Sequence, residues 1–265
     1  MSPSWRDRVE VFVGARELRL AVSPRGWRAR ESVRIVRETQ DAAADLAAAL
    51  AESAHRGCDV RIVLSNFHVR YAAVGDAGLL AGAAEREAAG RQVLRSVYGE
   101  AADEWRVVMD ADSTGVAPVA GAARSLIDGL RHACASVGAS RVRIQPLLAC
   151  AMNGALLALD KDEIGQAGWF GVLEDDRLVL ATLDGDRIRA VRGLRVRQDA
   201  GGEIAALLQR ARLLDADASG RSMLVLASDR TVPLALGPES ELRVRTVPLD
   251  GTLQNPIGRL DAMEL

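Results

Sequence analysis

The sequence predicts an α/β protein built from two related halves. A three-strand meander opens the chain, with strands over 9–13 and 18–22 and a third strand-like run that ends at Val36. A second meander covers 168–197, and its second turn contains Asp184-Gly185, a strong short-range hairpin signal. A helical pattern follows each meander. Because the same order occurs twice, we interpret the chain as a duplicated architecture.

The composition is typical of a globular protein and does not indicate nucleic-acid binding. The chain has 265 residues, of which 49% are hydrophobic and 26% charged, enough for one large domain or two small ones with their own cores. The formal net charge is −2, so the basic footprint of a general nucleic-acid binder is missing. We therefore expect no nucleic acid among its partners.

Cysteine usage and hydropathy predict a cytoplasmic protein. Cys58, Cys134 and Cys150 are widely spaced without a CxxC pair, which indicates reduced and mostly buried thiols. The first residues lack the apolar core of a signal peptide, and no window approaches the roughly 18 apolar residues of a membrane helix. We expect no direct membrane insertion, so any recruitment to the inner membrane would go through a partner.

Helices and strands alternate in the first half. Predicted helices cover 39–55, 79–98 and 119–137, and a small apolar helix ends at Leu159. Predicted strands cover 58–64, 105–109 and 141–144, and residues 67–74 continue extended. Gly99 and Gly138 stop the second and third helices. The helix at 119–137 has the clearest apolar face, formed by Ala123, Leu126, Ile127, Leu130, Cys134 and Val137.

The polar segment 160–166 is the predicted boundary, which separates residues 1–160 from a smaller half at 161–265. In that half we predict a helix over 203–214, strands over 223–227 and 242–247, and a loose tail over 251–265. The last strand of the meander alternates apolar and basic residues, with an irregularity near Arg192-Gly193. Its basic face is most simply solvated, with an acidic partner as the alternative. That face consists of Arg187, Arg189, Arg195 and Arg197.

This order of elements resembles the actin-like proteins of pilus and secretion machines, namely PilM of type IV pili and the cytoplasmic part of GspL of type II secretion. The resemblance covers about residues 8–230 and includes LSNFHVRYAAV at 64–74 and VRIQPLLACAMNG at 142–154. It implies an actin-like (ASKHA) fold, in which two RNase H-like halves face each other across a cleft for ATP. It also implies a small inserted αβ subdomain at about 67–115.

The nucleotide motifs of that family are degenerate in this chain. The family's phosphate turns read Asp-x-Gly, since backbone N–H groups must approach phosphate oxygens and an aspartate organises Mg²⁺. In the first turn Gly14 matches, whereas Phe12 stands where the aspartate is expected. The second turn has three acids and no glycine, and residues 227–229 read Ala-Ser-Asp where a glycine pair is expected. We therefore expect no cofactor and no catalysis. The three acids are Glu174, Asp175 and Asp176.

A candidate partner site lies at the entry to the inserted subdomain. Polar and aromatic groups cluster there on one extended segment, and in the family the groove beside this subdomain takes a short peptide from a membrane partner's cytoplasmic tail. We expect a non-catalytic scaffold or adaptor of pilus or secretion-system assembly that binds such a segment, with a homodimer as a further option. The candidate residues are Asn66, His68, Arg70 and Tyr71.

Two alternatives stay open. The chain could bind ATP through its altered loops. It could also be a Mg²⁺-dependent phosphohydrolase, because Asp110-Ala-Asp112-Ser-Thr114 matches the DxDxT motif of haloacid-dehalogenase-like enzymes, with Asp110 as nucleophile. Lys161 and the acids at 175–176 would then serve as the lysine and the metal acids. An ordinary turn after a strand explains the same residues, and the histidines show no metal spacing, so no metal site is predicted.

Overall fold

The computed structural model of the chain describes most of its residues. Within them, thirteen strands form three sheets, accompanied by six α-helices. No helix of this described part is long and apolar enough to cross a membrane. The described residues are 7–23, 33–53, 57–111, 115–185, 187–197, 200–214, 223–228, 242–249 and 263–265.

The first sheet begins with the predicted meander. It contains β1 (Arg8–Val13), β2 (Glu17–Ser23), β3 (Val33–Glu38), β4 (Asp59–Leu64) and β8 (Arg141–Pro146). The strand order is β3-β2-β1-β4-β8, in which the three meander strands pair antiparallel and β4 and β8 continue parallel to β1. The central parallel strand β4 is buried on both faces over nearly its whole length, as in other α/β sheets.

The second sheet repeats this plan. It contains β9 (Ala167–Glu174), β10 (Arg177–Asp184), β11 (Arg187–Arg195), β12 (Met223–Ser228) and β13 (Arg243–Val247). The order is β11-β10-β9-β12-β13, again an antiparallel meander followed by two parallel strands. The two sheets therefore have the same topology, and the prediction of two related halves with three-strand meanders is confirmed.

A third sheet is inserted into the first half, between β4 and β8 along the chain. It consists of β5 (Val69–Val74), β6 (Trp105–Met109) and β7 (Ala117–Ala123) in the antiparallel order β5-β7-β6, and helix α2 (Ala83–Tyr98) packs against it. Gly121 makes this packing possible, because a Cβ atom there would lie 2.7 Å from Cδ1 of a leucine of α2. The small inserted αβ subdomain was expected.

Five further α-helices are found in the described part of the chain. They are α1 (Ala42–Ser53), α3 (Arg124–Ser136), α4 (Leu147–Ala158), α5 (Lys161–Gln166) and α6 (Ala200–Leu214). Helix α4 contacts β4 of the first sheet and both β9 and β12 of the second, and most of its residues are buried. The largest hydrophobic cluster accordingly extends through both halves.

The helix predicted over 119–137 is wrong in its first part. Residues up to Ala123 belong to β7, and the helix begins at Arg124. Small residues such as Ala120 and Ala122 fit a helical pattern, but pairing with both β5 and β6 buries them in the centre of the inserted sheet. Non-local strand pairing outweighs local helix propensity here. The predicted stop at Gly138 holds, at a φ of 70°.

Helices α1 and α2 start later than predicted, whereas α6 starts earlier, at Ala200 instead of residue 203. Helix α1 begins at Ala42, because the carboxylate of Asp41 accepts the backbone N–H groups of Ala43 and Ala44 and so caps the helix. Before α2, Ala77–Leu79 forms a separate 3₁₀ turn. Gly99 ends α2 at a φ of 76°, as predicted.

Two details of the second half also differ from the sequence prediction. The polar segment 160–166 contains the short helix α5, which has a capping box between Asp160 and Glu163. The irregularity in β11 lies at Arg189 instead of Arg192-Gly193, since Thr182 pairs with residue 190 but the next residue pairs with residue 188. The extra residue is a β-bulge.

The end of the chain contacts the first half. The backbone N–H of Leu265 donates to the carbonyl of Ile144 in β8 at 2.8 Å, and the side chains of Met263 and Leu265 are buried. The predicted loose tail is therefore wrong for residues 263–265, while residues 251–262 lie outside the described part.

All three cysteines are buried thiols, as predicted. Cys58, Cys134 and Cys150 expose 1% or less of their surface. Burial raises the pKa of Cys58 and raises that of Cys134 to about 12.

Candidate functional site

The turns of the two meanders line one cleft of about 1440 Å³. Among the described residues, seven carboxylates and three guanidinium groups contribute to its lining, so the charge of this part of the lining is negative. A cleft lined by one sign of charge concentrates ligands of the opposite sign. The cleft therefore suits a cationic ligand better than a triphosphate. The acids are Glu17, Glu38, Asp41, Asp45, Glu174, Asp175 and Asp176, and the basic residues are Arg16, Arg19 and Arg195.

The first turn is closed by its own backbone. The N–H of Gly14 donates to the carbonyl of Glu17 at 2.8 Å, and a Cβ atom at Gly14 would lie 2.9 Å from Cγ of Glu17. Phe12 is 8% exposed, and the guanidinium of Arg19 stacks 4.8 Å from its ring centroid. This turn thus uses its glycine for a tight hairpin, and a cation–π pair occupies the position of the expected aspartate.

In the second turn, the carboxylate of Glu174 extends across the cleft to the first half. Oε2 of Glu174 accepts the backbone N–H of Asn66 at 3.0 Å, and the same carboxylate is hydrogen-bonded to the hydroxyl of Ser65. Burial raises the pKa of Glu174, and these two hydrogen bonds partly offset the rise. The donors that follow β4 are therefore occupied by an acid of the other half.

The other two acids shape the turn itself. Asp175 adopts a left-handed backbone with a φ of 48°, a conformation in which aspartate replaces the more usual glycine. Asp176 forms an ion pair with Arg195, with 2.6 Å between Oδ2 and Nε, and its carbonyl accepts the backbone N–H of Val196. These contacts tie the turn to the end of β11.

The predicted partner-binding residues lie in and after a turn over 66–68. Nε2 of His68 donates to the carbonyl of Gly14 at 2.7 Å, and the hydroxyl of Tyr71 donates to Oδ1 of Asn66 at 2.9 Å. Asn66 and Tyr71 are 2% and 3% exposed. Asn66 and Tyr71 thus contact each other, while His68 contacts the first turn. Arg70 is half-buried, donates to the carbonyl of Asn66 at 3.4 Å, and lines a second hollow together with Asn66 and Tyr71.

This second hollow, the arginine cavity, has a volume of about 210 Å³. Its walls come from β5, the end of α2 and the β10–β11 hairpin, and β5 packs against β11 there. Arg70, Arg177 and Arg195 line it, and no carboxylate is among the described residues of its lining. Sequence reasoning missed Arg177, because one arginine at the start of a strand carries no recognisable signal.

The phosphohydrolase alternative needs residues that the structure keeps apart: Asp175 and Asp176 line the large cleft, whereas Asp110 and Lys161 line neither hollow. Asp110 is 1% exposed, and its backbone N–H donates to the carbonyl of Pro118. Residues 112–114 fall outside the described part, and Lys161 is exposed on α5. Among the described residues, no cluster of three His, Cys, Asp or Glu side chains could hold a metal ion. Ser228 lines the large cleft, and Asp229 lies outside the described residues.

Comparisons with known proteins identify the fold of this chain. No family model matches the chain, and no curated protein matches it. Similar solved structures include a protein of unknown function with an actin-like ATPase fold from Bacteroides thetaiotaomicron (12% identity, 92% of this chain and 91% of that one, TM-score 0.62). The PilM-PilN type IV pilus biogenesis complex is also similar (15% identity, 93% and 89%, TM-score 0.59).

A third similar structure is the cytoplasmic domain of EpsL, an inner-membrane component of the type II secretion system of Vibrio cholerae (12% identity, 96% of this chain and 98% of that one, TM-score 0.58). Each likeness spans nearly the whole of both chains. At these identities the likeness concerns the fold, and this protein has the actin-like fold that its sequence predicts.

Proposed function

We propose that this chain is a non-catalytic actin-like scaffold of a pilus or secretion apparatus, which binds the cytoplasmic segment of an inner-membrane partner. The observation that carries the proposal is the position of Glu174. Its carboxylate already accepts the backbone N–H of Asn66 and is bonded to the Ser65 hydroxyl inside the cleft. A nucleotide site needs backbone donors that are open to phosphate oxygens, and here a fixed carboxylate competes for them.

The surrounding charge supports the same conclusion. Of the residues that the structure describes, seven carboxylates and three guanidinium groups line the cleft, and the N–H of Gly14 is used within its own turn. A triphosphate would enter against the field of these acids unless cations accompanied it. The burial of Asp110 likewise disfavours the phosphohydrolase, since a nucleophile must contact its substrate.

The proposed binding of an inner-membrane partner rests on similarity to solved structures and on the arginine cavity. PilM is seen in complex with PilN, and the EpsL domain belongs to an inner-membrane component. Fold alone does not determine function, so the proposal also needs a site on this chain. The arginine cavity, next to the segment predicted to bind a partner, supplies one. We infer that the chain is cytoplasmic and reaches the inner membrane through this partner.

A thermal-shift titration tests the nucleotide half of the proposal. We expect the Tm to stay unchanged with Mg-ATP and with Mg-ADP at millimolar concentration. A nucleotide present at 100 times its Kd would stabilise the fold by about 2.7 kcal/mol, which such a titration detects easily. A rise of the Tm that saturates with nucleotide would overturn the scaffold proposal and favour the alternative of retained ATP binding.

Photo-crosslinking in the source bacterium tests the partner half. A photo-reactive residue in place of Gly193, which lines the cavity and has open space for a side chain, should crosslink to one inner-membrane protein, and the crosslink should vanish when that protein's cytoplasmic segment is deleted. The matched control is the same residue in place of Leu157, an exposed position of α4 that lines neither hollow. Equal crosslinking from both positions, or normal pilus assembly and secretion without the gene, would contradict the proposal.

A further inference from the structure

Two residues that line the arginine cavity carry buried donors for which the described residues supply no acceptor. Nε of Arg177 and Nδ2 of Asn66 are buried and have no hydrogen-bond partner among the described residues. Both residues line the cavity, and Asn66 is 2% exposed. Buried polar groups are nearly always paired, because leaving one unpaired costs the free energy of removing it from water. Two unpaired donors in one cavity indicate that an acceptor belongs there.

The charge of the cavity is also unbalanced. Arg195, on the exposed rim, is paired with Asp176. Within the part of the chain that the structure describes, Arg70 and Arg177 have no carboxylate partner. Nη1 of Arg70 donates to the carbonyls of Phe67 and Val69 at 3.0 and 3.1 Å. The guanidinium of Arg177 lies 4.6 Å from the ring centroid of Phe67, which orients it without neutralising it.

The two guanidinium groups affect each other. Burial lowers the pKa of Arg70, and the charge of Arg177 lowers it further. Like charges held close together in a half-buried site repel, and an anion between them would turn this repulsion into attraction. Guanidinium groups in addition match planar oxygen pairs bidentately, which makes them suitable for a carboxylate.

We propose that the arginine cavity binds the carboxylate of an acidic residue in a peptide segment. The proposal rests on the proposed function, because the peptide would belong to the partner, and it adds the chemistry of recognition. Arg177 and Arg70 would bind the carboxylate oxygens, and Nδ2 of Asn66 would donate to one of them. Leu178, Val179 and Leu194 line the same cavity and would contact the aliphatic stem of the residue. A free phosphate ion has no such stem.

Nuclear magnetic resonance of the arginine Nε–H groups tests the proposal directly. The wild-type protein is titrated with acetyl-Gly-Glu-Gly-amide and, as a matched control, with acetyl-Gly-Gln-Gly-amide. We expect the Nε–H resonance of Arg177 to shift in a saturable manner with the glutamate peptide only. A third titration with inorganic phosphate separates a carboxylate site from a general anion site.

Two variants locate the site. Arg177→Gln should raise the Kd for the glutamate peptide about tenfold or more, as expected for the loss of a charge-assisted hydrogen bond. Its effect is followed through the Nε–H of Arg70. Arg192→Gln removes an equal charge from an exposed position of β11 that does not line the cavity, and it should leave the affinity unchanged.

Three results would overturn the inference. Equal shifts with the glutamate and glutamine peptides would exclude charge recognition. Saturation by phosphate that the glutamate peptide cannot displace would exclude a carboxylate site. Equal losses in the two variants would indicate general electrostatics. The wild-type titrations decide the question even if Arg177→Gln fails to fold. Failure of the scaffold proposal would appear separately, as a nucleotide-dependent Tm or an absent crosslink.

Discussion

The large cleft and the arginine cavity are neighbours of opposite charge. Both are lined by Arg195, yet in the part of the chain that the structure describes seven carboxylates line the cleft and none lines the cavity. In an actin-like fold the cleft between the halves is where a nucleotide would be expected, but in this chain the positive charge lies in the small hollow next to it. The comparison shows that the fold provides the hollows, whereas side chains decide the sign of what each can bind.

Asn66 links the two hollows. Its backbone N–H binds Glu174 of the cleft, while its side chain lines the cavity and accepts the hydroxyl of Tyr71. Changes at these contacts should therefore reveal whether the hollows act independently.

The largest expected effect comes from Tyr71→Phe. The Tyr71 hydroxyl donates to Oδ1 of Asn66 at 2.9 Å and accepts the N–H of Leu148 at the start of α4. Burial raises the pKa of Tyr71 well above its ordinary value, so the phenol remains a donor. Its loss leaves buried groups unpaired, and we expect the free energy of unfolding to fall by about 2 kcal/mol. Chemical denaturation measures this change.

The control for Tyr71→Phe is Tyr98→Phe. The hydroxyl of Tyr98 donates to the carbonyl of Tyr71 at 3.1 Å from a half-buried position, where water can replace it. We expect the control to lose less than about 1 kcal/mol. Equal losses in the two variants would show that the contact between Tyr71 and Asn66 has no special role.

A smaller effect should appear in the pH dependence of stability. The pKa of Glu174 is raised above its ordinary value of 4.5, chiefly by burial. The folded state then binds a proton at Glu174 more tightly than the unfolded chain does. Stability from this group is therefore fully present below the ordinary pKa and is lost as the pH rises through the raised one.

Comparison with Glu174→Gln isolates this contribution. As the pH falls from 7.5 towards 4.5, the free energy of unfolding of the wild type should rise relative to that of Glu174→Gln, by at most about 1.4 kcal/mol per pH unit. Glu100→Gln, an exposed change outside the cleft that does not contribute to the raised pKa of Glu174, serves as the control and should follow the wild type. A difference between wild type and Glu174→Gln that stays constant with pH would show that burial does not perturb this carboxyl.

The smallest expected effect concerns the rim of the cavity. Asp176→Asn removes the counter-charge of Arg195, so the cavity should bind acetyl-Gly-Glu-Gly-amide about twofold more tightly, as expected for an exposed ion pair. Asp184→Asn breaks the exposed pair with Arg189 at the other end of the hairpin and should leave the Kd unchanged. Weaker binding by Asp176→Asn would contradict the proposed division of charge.

The fold was largely predictable because its signals are local. The glycine at Gly185 adopts the left-handed conformation that a tight hairpin requires, and alternating apolar residues mark both meanders. Strand β7 was missed because its small residues suit a helix equally well, and only pairing with β5 and β6 makes them a strand. Such long-range pairing leaves no periodic trace in the sequence.

The candidate site was only partly predictable. The absence of glycine in the second turn could be seen in the sequence, as could the acids that replace it. That Glu174 reaches the backbone of Asn66, 108 residues away, could not be seen, because it depends on how the halves meet. Arg177 was missed for the same reason, since its partner ring, Phe67, belongs to the other half.

The buried thiols have a practical consequence for following motion between the halves. All three are inaccessible, and the raised pKa values of Cys58 and Cys134 keep these two in the unreactive thiol form near neutral pH. The native chain is therefore silent towards maleimide dyes. Two exposed sites, for example Leu79→Cys in the inserted subdomain and Arg192→Cys in the second half, could carry a fluorescent pair without removal of any native cysteine. A change in the distance between the halves would then appear as a change in energy transfer between the two dyes.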